Sequence, residues 1–264
     1  MSLRINNNVE AFNAHRQLSA TSHNVQKSME RLSSGSRINR AADDAAGLAI
    51  SEKLRGQIRG LSQAQRNAQD AVSLVQTAEG SLNEVHSMLQ RVRELAVQYK
   101  AGTLSDSDKA AITAEANQLV DEMERIGVSA EFNGIKLLNS GATLTFQVGA
   151  NDADSKIDVT TSTLADIVGS LDVSSSTISA IDKAISDVSA LRGKFGAVQN
   201  RLEHTLGNLA TYQENLMASE SRIRDVDMAA EMVQFSKNQI LQQAGTSMLA
   251  QANQAPQGVL SLLR

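Results

Sequence analysis

Counting from Leu54, every seventh residue is apolar: Leu54, Leu61, Ala68, Val75, Leu82, Leu89 and Ala96. A second column runs beside it, first Ile58 and Val72, then Ala71, Ala78, Val85 and Val92. The seam drifts slowly round the helix because a turn of about 3.6 residues does not match a seven-residue repeat. No proline interrupts residues 42–98, and at about 1.5 Å per residue they make a helix of roughly 80 Å. A helix of that length cannot bury its own stripe and needs a partner of matching length.

The same chain supplies one. Ile181, Val188, Phe195, Leu202, Leu209, Leu216 and Ile223 again recur every seventh residue, with Ile178, Ile185 and Leu206 three positions before members of that column. Two matched repeats on the flanks of a chain predict a mainly α fold: a long antiparallel helical rod of coiled-coil type, with the middle projecting from it. Aromatic residues make up 3% of the chain and proline occurs once. The seam is therefore expected to be thin and rich in small side chains rather than a thick globular core.

Other segments fit round that frame. Residues 4–33 form an amphipathic helix, with Ala11, Leu18, Val25 and Leu32 seven apart and Ile5, Val9 and Met29 in support. Gly35 is placed to cap it, and residues 34–46 read as a connector in which Asp43-Asp44 is placed to cap the long helix; the rival reading, a paired-carboxylate acid/base site, has no visible cleft partner. Beyond the turn at 101–103, Ser105 with Asp106 and Asp108 starts a shorter helix carrying Ile112, Leu119 and Ile126, ended at Gly127 and folded back on the rod. Phe132-Asn133-Gly134 is a turn signal. Leu144, Phe146 and Val148, then Ile157 and Val159, alternate with polar residues, which predicts a β-hairpin. A Ser/Thr-rich stretch follows, with one short helix around 164–168. Residues 225–263 return to helical spacing through Met228, Met232, Phe235, Ile240, Ala244, Met248 and Leu249, beside Leu241.

The domain layout expected from this reading is a terminal unit of 1–33 with 225–264, the connector 34–46, and a rod of 47–224 whose variable part is about 150–177. The large apolar groups in the first thirty residues are too few to order that much backbone alone. Both ends are therefore expected to be disordered or fraying in a free monomer and to become helical against neighbouring copies.

Several function classes fall away. There is no cysteine, so disulfide frameworks and Cys-based metal sites are excluded. A net charge of −4 gives no argument for nucleic acid or an anionic membrane. Residues 1–66 hold ten Lys/Arg against five Asp/Glu, and residues 101–190 five against fourteen, so the middle is acidic and suits a solvated outer surface. The amino terminus lacks the apolar run of a signal peptide, and no stretch approaches the roughly 20 apolar residues of a membrane span. His15, His23, His86 and His204 share no ligand spacing, and no GxSxG, P-loop or GxGxxG occurs. Asp152 and Asp154 resemble the start of a calcium loop that lacks its glycine and later glutamate. Gly56 and Gly60 form GxxxG between Arg55 and Arg59, which reads as close helix packing rather than a membrane dimer. No enzyme, cofactor or metal is expected.

Long ordered motifs carry a resemblance: SLRINNNVEAFNAHRQL at the start, RLSSGSRINRAADDAAGLAIS at 31–51, QRVRELAVQ at 90–98, FNGIKLL at 132–138, FQVGAN at 146–151 and QILQQAGTSMLAQANQAPQGVLSLL at the end. They resemble bacterial flagellin over the whole chain apart from about 152–177. The resemblance implies an extracellular filament. In it the terminal helices, through Ile5, Val9, Leu18, Val25, Leu32, Met232, Ile240, Leu241 and Leu249, pair as the core of a helical homopolymer, and the rod forms the next layer. It also implies secretion through the flagellar type III apparatus with an export chaperone, and assembly beneath a cap and next to junction proteins. By motif match, Leu89, Gln90, Arg91, Glu94, Leu95 and Glu115 would meet the vertebrate Toll-like receptor that senses flagellin. The middle is too short for separate outer domains. A hook–filament junction protein shares both ends of this pattern and is the nearest alternative; a helical adaptor or secreted effector is a second.

Overall fold

The computed structural model describes residues 7–151, 155–169, 171 and 177–262. Their order is α1 (Val9–Ser34), α2 (Ala45–Tyr99), α3 (Asp106–Ser129), β1 (Glu131–Phe132), β2 (Ile135–Lys136), β3 (Thr143–Gln147), β4 (Lys156–Thr160), α4 (Ala165–Val168), α5 (Ile178–Arg224) and α6 (Met228–Leu262). The chain divides into two compact units: Met1–Gly56 with Leu216–Arg264, and Gln57–Asn215. The second holds most of α2 and of α5.

In the Gln57–Asn215 unit the repeats become the core. Leu61, Val75, Leu82, Leu89, Ile181, Val188, Phe195, Leu202 and Leu209 are all buried, as are Ala68, Ala71, Ala78, Val85, Val92 and Ala96. Ile112, Ala116, Val120 and Met123 of α3 join them. Each buried Val, Leu or Ile removes enough apolar surface from water to contribute about 1.5–3 kcal/mol, and the many alanines let the helices approach closely. Arg93 meets Asp182 at 2.6 Å and Glu79 meets Arg192 at 3.7 Å, so α2 and α5 run antiparallel.

Ser105 and Asp108 close a reciprocal capping box at the start of α3. Its end differs from the expectation. The helix continues past Gly127 to Ser129, because that glycine serves packing rather than termination. A Cβ there would stand 3.3 Å from the Leu164 side chain.

β3 and β4 pair antiparallel with Leu144 opposite Val159 and Phe146 opposite Ile157. Ile157 and Val159 point inward, as the alternation requires. The hairpin is fixed to α2 by Asn67, which donates to the Gln147 carbonyl at 3.0 Å, and by Gly60. A Cβ on Gly60 would lie 3.0 Å from that of Ala150, whereas Gly56 faces open space. Of the GxxxG pair, one glycine therefore makes the close approach.

The other unit holds α1, α6 and the connectors. α1 begins at Val9, with the Asn8 side chain accepting from the Ala11 N–H; residues 4–6 of the expected helix lie outside the described residues. Gly35 ends it in the left-handed region at φ 70°. Ser36 then pairs antiparallel with Asp225. The Arg37 N–H donates to the Arg224 carbonyl at 2.6 Å and the Val226 N–H to the Gly35 carbonyl at 3.0 Å. The Arg37 guanidinium donates to the Ile223 carbonyl at 2.7 Å, near the end of α5. Asp44 accepts from the Gly47 N–H at 2.8 Å. A side chain at Gly47 would collide with that carboxylate.

Candidate assembly surface

α1 and α6 pack as an antiparallel pair. Asn8 Nδ2 donates to the Ala252 carbonyl at 2.7 Å, Gly245 lies against Leu18, and Arg31 meets Glu231 at 3.5 Å. Heptad spacing places Leu18, Val25 and Leu32 on one column and Thr21 and Ser28 on another. The first three are half-buried, as is Leu249, while Thr21, Ser28 and Asn238 are buried. The interior of the pair is thus partly polar. Thr21 donates to the Gln17 carbonyl at 2.9 Å, but the buried Asn238 amide nitrogen has no partner among the described residues.

The remaining apolar side chains point the other way. Val9, Met232, Ile240 and Leu241 are exposed, together with Phe12, Met29, Val233 and Met248; Phe12 is 72% exposed and Val233 70%. The single terminal stripe expected from spacing therefore splits in two. Leu18, Val25, Leu32 and Leu249 hold the pair together, and Val9, Met232, Ile240 and Leu241 face outward from it. Ile5 lies outside the described residues. Val233, which spacing arguments passed over, stands seven residues before Ile240 and lines a shallow apolar groove on α6 with Met232, Ser236, Lys237, Ile240 and Leu241.

The connector is held by ions. Lys27 Nζ lies 2.7 Å from Asp43. With the Arg40 and Asn39 N–H groups, it lowers the Asp43 carboxyl from 3.8 to about 2. Glu52 sits 2.7 Å from Arg224 and 3.3 Å from Arg55, and its pKa is lowered, chiefly by Arg224. Leu54, Leu216 and Ile223, the members of the two seam columns that fall in this unit, are half-buried.

Of the residues matched to receptor contact, Leu89 and Leu95 are buried core residues, so their side chains are not available to a partner. Gln90, Arg91, Glu94 and Glu115 are exposed. Arg91 donates twice to Glu115, at 3.1 and 2.8 Å, and once to Glu94 at 3.1 Å. Among the described residues no group of His, Asp and Glu could hold a metal ion, and no helix is long and apolar enough to cross a membrane. Asp152 and Asp154 lie outside the described residues.

Residues 5–143 match the bacterial flagellin N-terminal helical region and residues 178–263 the bacterial flagellin C-terminal helical region. The chain belongs to the bacterial flagellin family. It is 54% identical to a flagellin of Halalkalibacterium halodurans, over 98% of this chain and 99% of that one. It is 49% identical to a flagellin of Bacillus subtilis, over 99% and 100%. A flagellar filament 33 kDa core protein of Treponema phagedenis is 48% identical, over 98% and 99%. A crystal structure of Bacillus cereus flagellin superposes with a TM-score of 0.51 at 30% identity, covering 55% of this chain and 88% of that one. Only residues 144–177 lie between the two matched regions, so this is a short flagellin of core regions. Its role is structural and not enzymatic: it is a subunit of the extracellular flagellar filament.

Proposed function

We propose that the outward face of the α1/α6 pair is the surface through which copies of this chain polymerise. In this reading residues 1–33 with 225–264 are the inner assembly domain, 34–46 the connector and 47–224 the rod, with about 150–177 on the outside. The observation that carries it is the row of exposed apolar side chains on both helices, Phe12 on α1 and Val233, Ile240 and Leu241 on α6. A soluble subunit leaves such a row uncovered only where another surface is to cover it. A head-to-tail contact of this kind that does not close generates an open helical polymer. Val233→Asp and Ile240→Asp place a charge on that face without touching the half-buried Leu18, Val25 or Leu32. Both variants should keep the wild-type circular dichroism and fail to sediment after seeding. Seeded growth at the wild-type rate would overturn the assignment. Export by the type III apparatus with its chaperone, and growth beneath a cap and beside junction proteins, belong to the same reading and rest on family membership.

A second reading concerns recognition of the free subunit by the Toll-like receptor for flagellin. The exposed set Gln90, Arg91, Glu94 and Glu115 supports it, with Arg91 oriented by two carboxylates. Leu89 and Leu95 act through the core by holding α2 in place. Arg91→Ala should weaken receptor activation in a reporter-cell assay and leave the thermal unfolding of the rod unchanged, since exposed ion pairs add little stability. An unchanged response would remove the assignment.

A further inference from the structure

Asn133-Gly134 is the chain's single Asn-Gly pair, and it forms the two-residue turn between β1 and β2. Phe132 stands opposite Ile135, and the turn residues have φ of 49° and 77°. A turn of this hand requires positive φ at both positions, which Asn and Gly tolerate. Both residues are exposed, and nothing lies within 4 Å of where a Cβ on Gly134 would stand. The same dipeptide carries a latent reaction, because an unshielded glycine nitrogen is the least hindered nucleophile that can follow an asparagine.

We propose that Asn133 is a site of spontaneous deamidation whose rate is set by opening of the β1–β2 turn. The Gly134 nitrogen attacks Cγ of Asn133, the Cγ–amide bond breaks, and ammonia leaves with the displaced proton, giving a succinimide. Water then opens either carbonyl of that ring, producing aspartate or isoaspartate. The closed turn holds Asn133 in the left-handed region, whereas ring closure needs its ψ rotated to bring the Gly134 nitrogen onto Cγ. Each strand is only two residues long, so local opening is the route to reaction.

The two products differ in consequence. Aspartate tolerates the same backbone conformation as asparagine. Isoaspartate inserts a methylene into the main chain, which a two-residue turn cannot absorb. Behind the turn, the Leu137 N–H donates to the Ala130 carbonyl at 3.0 Å, and Leu137 and Leu138 are buried in the rod core. An isoaspartate at 133 therefore loosens the packing of both leucines. In a polymer outside the cell, beyond cytoplasmic repair, the product accumulates with age.

The test incubates the full chain in warm, mildly alkaline buffer, with and without denaturant, followed by tryptic mass mapping and isoaspartyl-methyltransferase labelling. Residues 126–136 form one tryptic fragment whose only Asn is Asn133, so the mass change from amide to acid locates the site. That fragment should convert before the 137–156 fragment, which carries both Asn139 and Asn151, and roughly tenfold or more faster in denaturant. Gly134→Ala should slow the reaction in the denatured chain, where folding plays no part. Asn133→Asp should unfold at the wild-type temperature while the isoaspartate-rich fraction unfolds lower. An unchanged 126–136 fragment after other asparagines have reacted would overturn the site. Equal rates in native and denatured chain would overturn the gating.

Discussion

Asp43 shows how much a single carboxylate does in the connector. Lys27 first, and then the N–H groups of Arg40 and Asn39, favour its ionised form and bring it to about 2 from 3.8. A folded value below the unfolded one contributes stability that is present above about pH 4 and lost as pH falls towards 2. Asp43→Asn should cost on the order of 1–2 kcal/mol near neutral pH, after allowing for solvent around the half-exposed Lys27. Wild type and variant should converge at about pH 2, followed by urea unfolding across that range; a constant gap would assign the effect to packing. At this scale the sequence was partly legible. A carboxylate before a long helix reads as a cap, and Asp44 is one. It was Asp43's partner that could not be read, because Lys27 sits on the preceding helix and only the turn of 40–43 brings it near. Gly47 and Ile38, buried against Asp44 and α2's first turn, carry no periodic signal either.

Among the elements, periodicity resolved the long helices best because a seven-residue repeat over many turns has one folded solution. Leu61 to Leu89 and Ile181 to Leu209 all reach the interior. Periodicity failed on α1 and α6, where it found apolar residues but not which face each one served. The polar interior of that pair was also hidden, since Thr21, Ser28 and Asn238 look like solvent positions in one dimension. A buried amide without a partner costs about 1–3 kcal/mol, and the α1/α6 pair buries few large side chains to offset it. In free monomer, limited proteolysis should therefore trim both ends and leave a resistant rod from roughly Asp44 to Ile223, and that fragment should not polymerise. Asn238→Leu should slow the trimming several-fold by removing the unpaired donor. Ends that resist protease in the wild-type monomer would defeat this account.

For the whole chain, the short stretch between the matched regions means that nothing large is available to stand outside the rod. A small tag inserted at position 175 should leave seeded assembly at the wild-type level, since that Ser/Thr-rich segment offers little apolar surface to bury; blocked assembly would place it inside. The paired connectors have a mechanical consequence. The chain passes from α1 to α2 through residues 35–44 and from α5 to α6 through 225–227, and Arg37–Arg224 and Val226–Gly35 bonds tie these two routes side by side. Tension entering either covalent route is shared with the other across those ties, so rupture at one leaves a second path intact. Two hydrogen bonds and one arginine thus give these connectors redundancy under load.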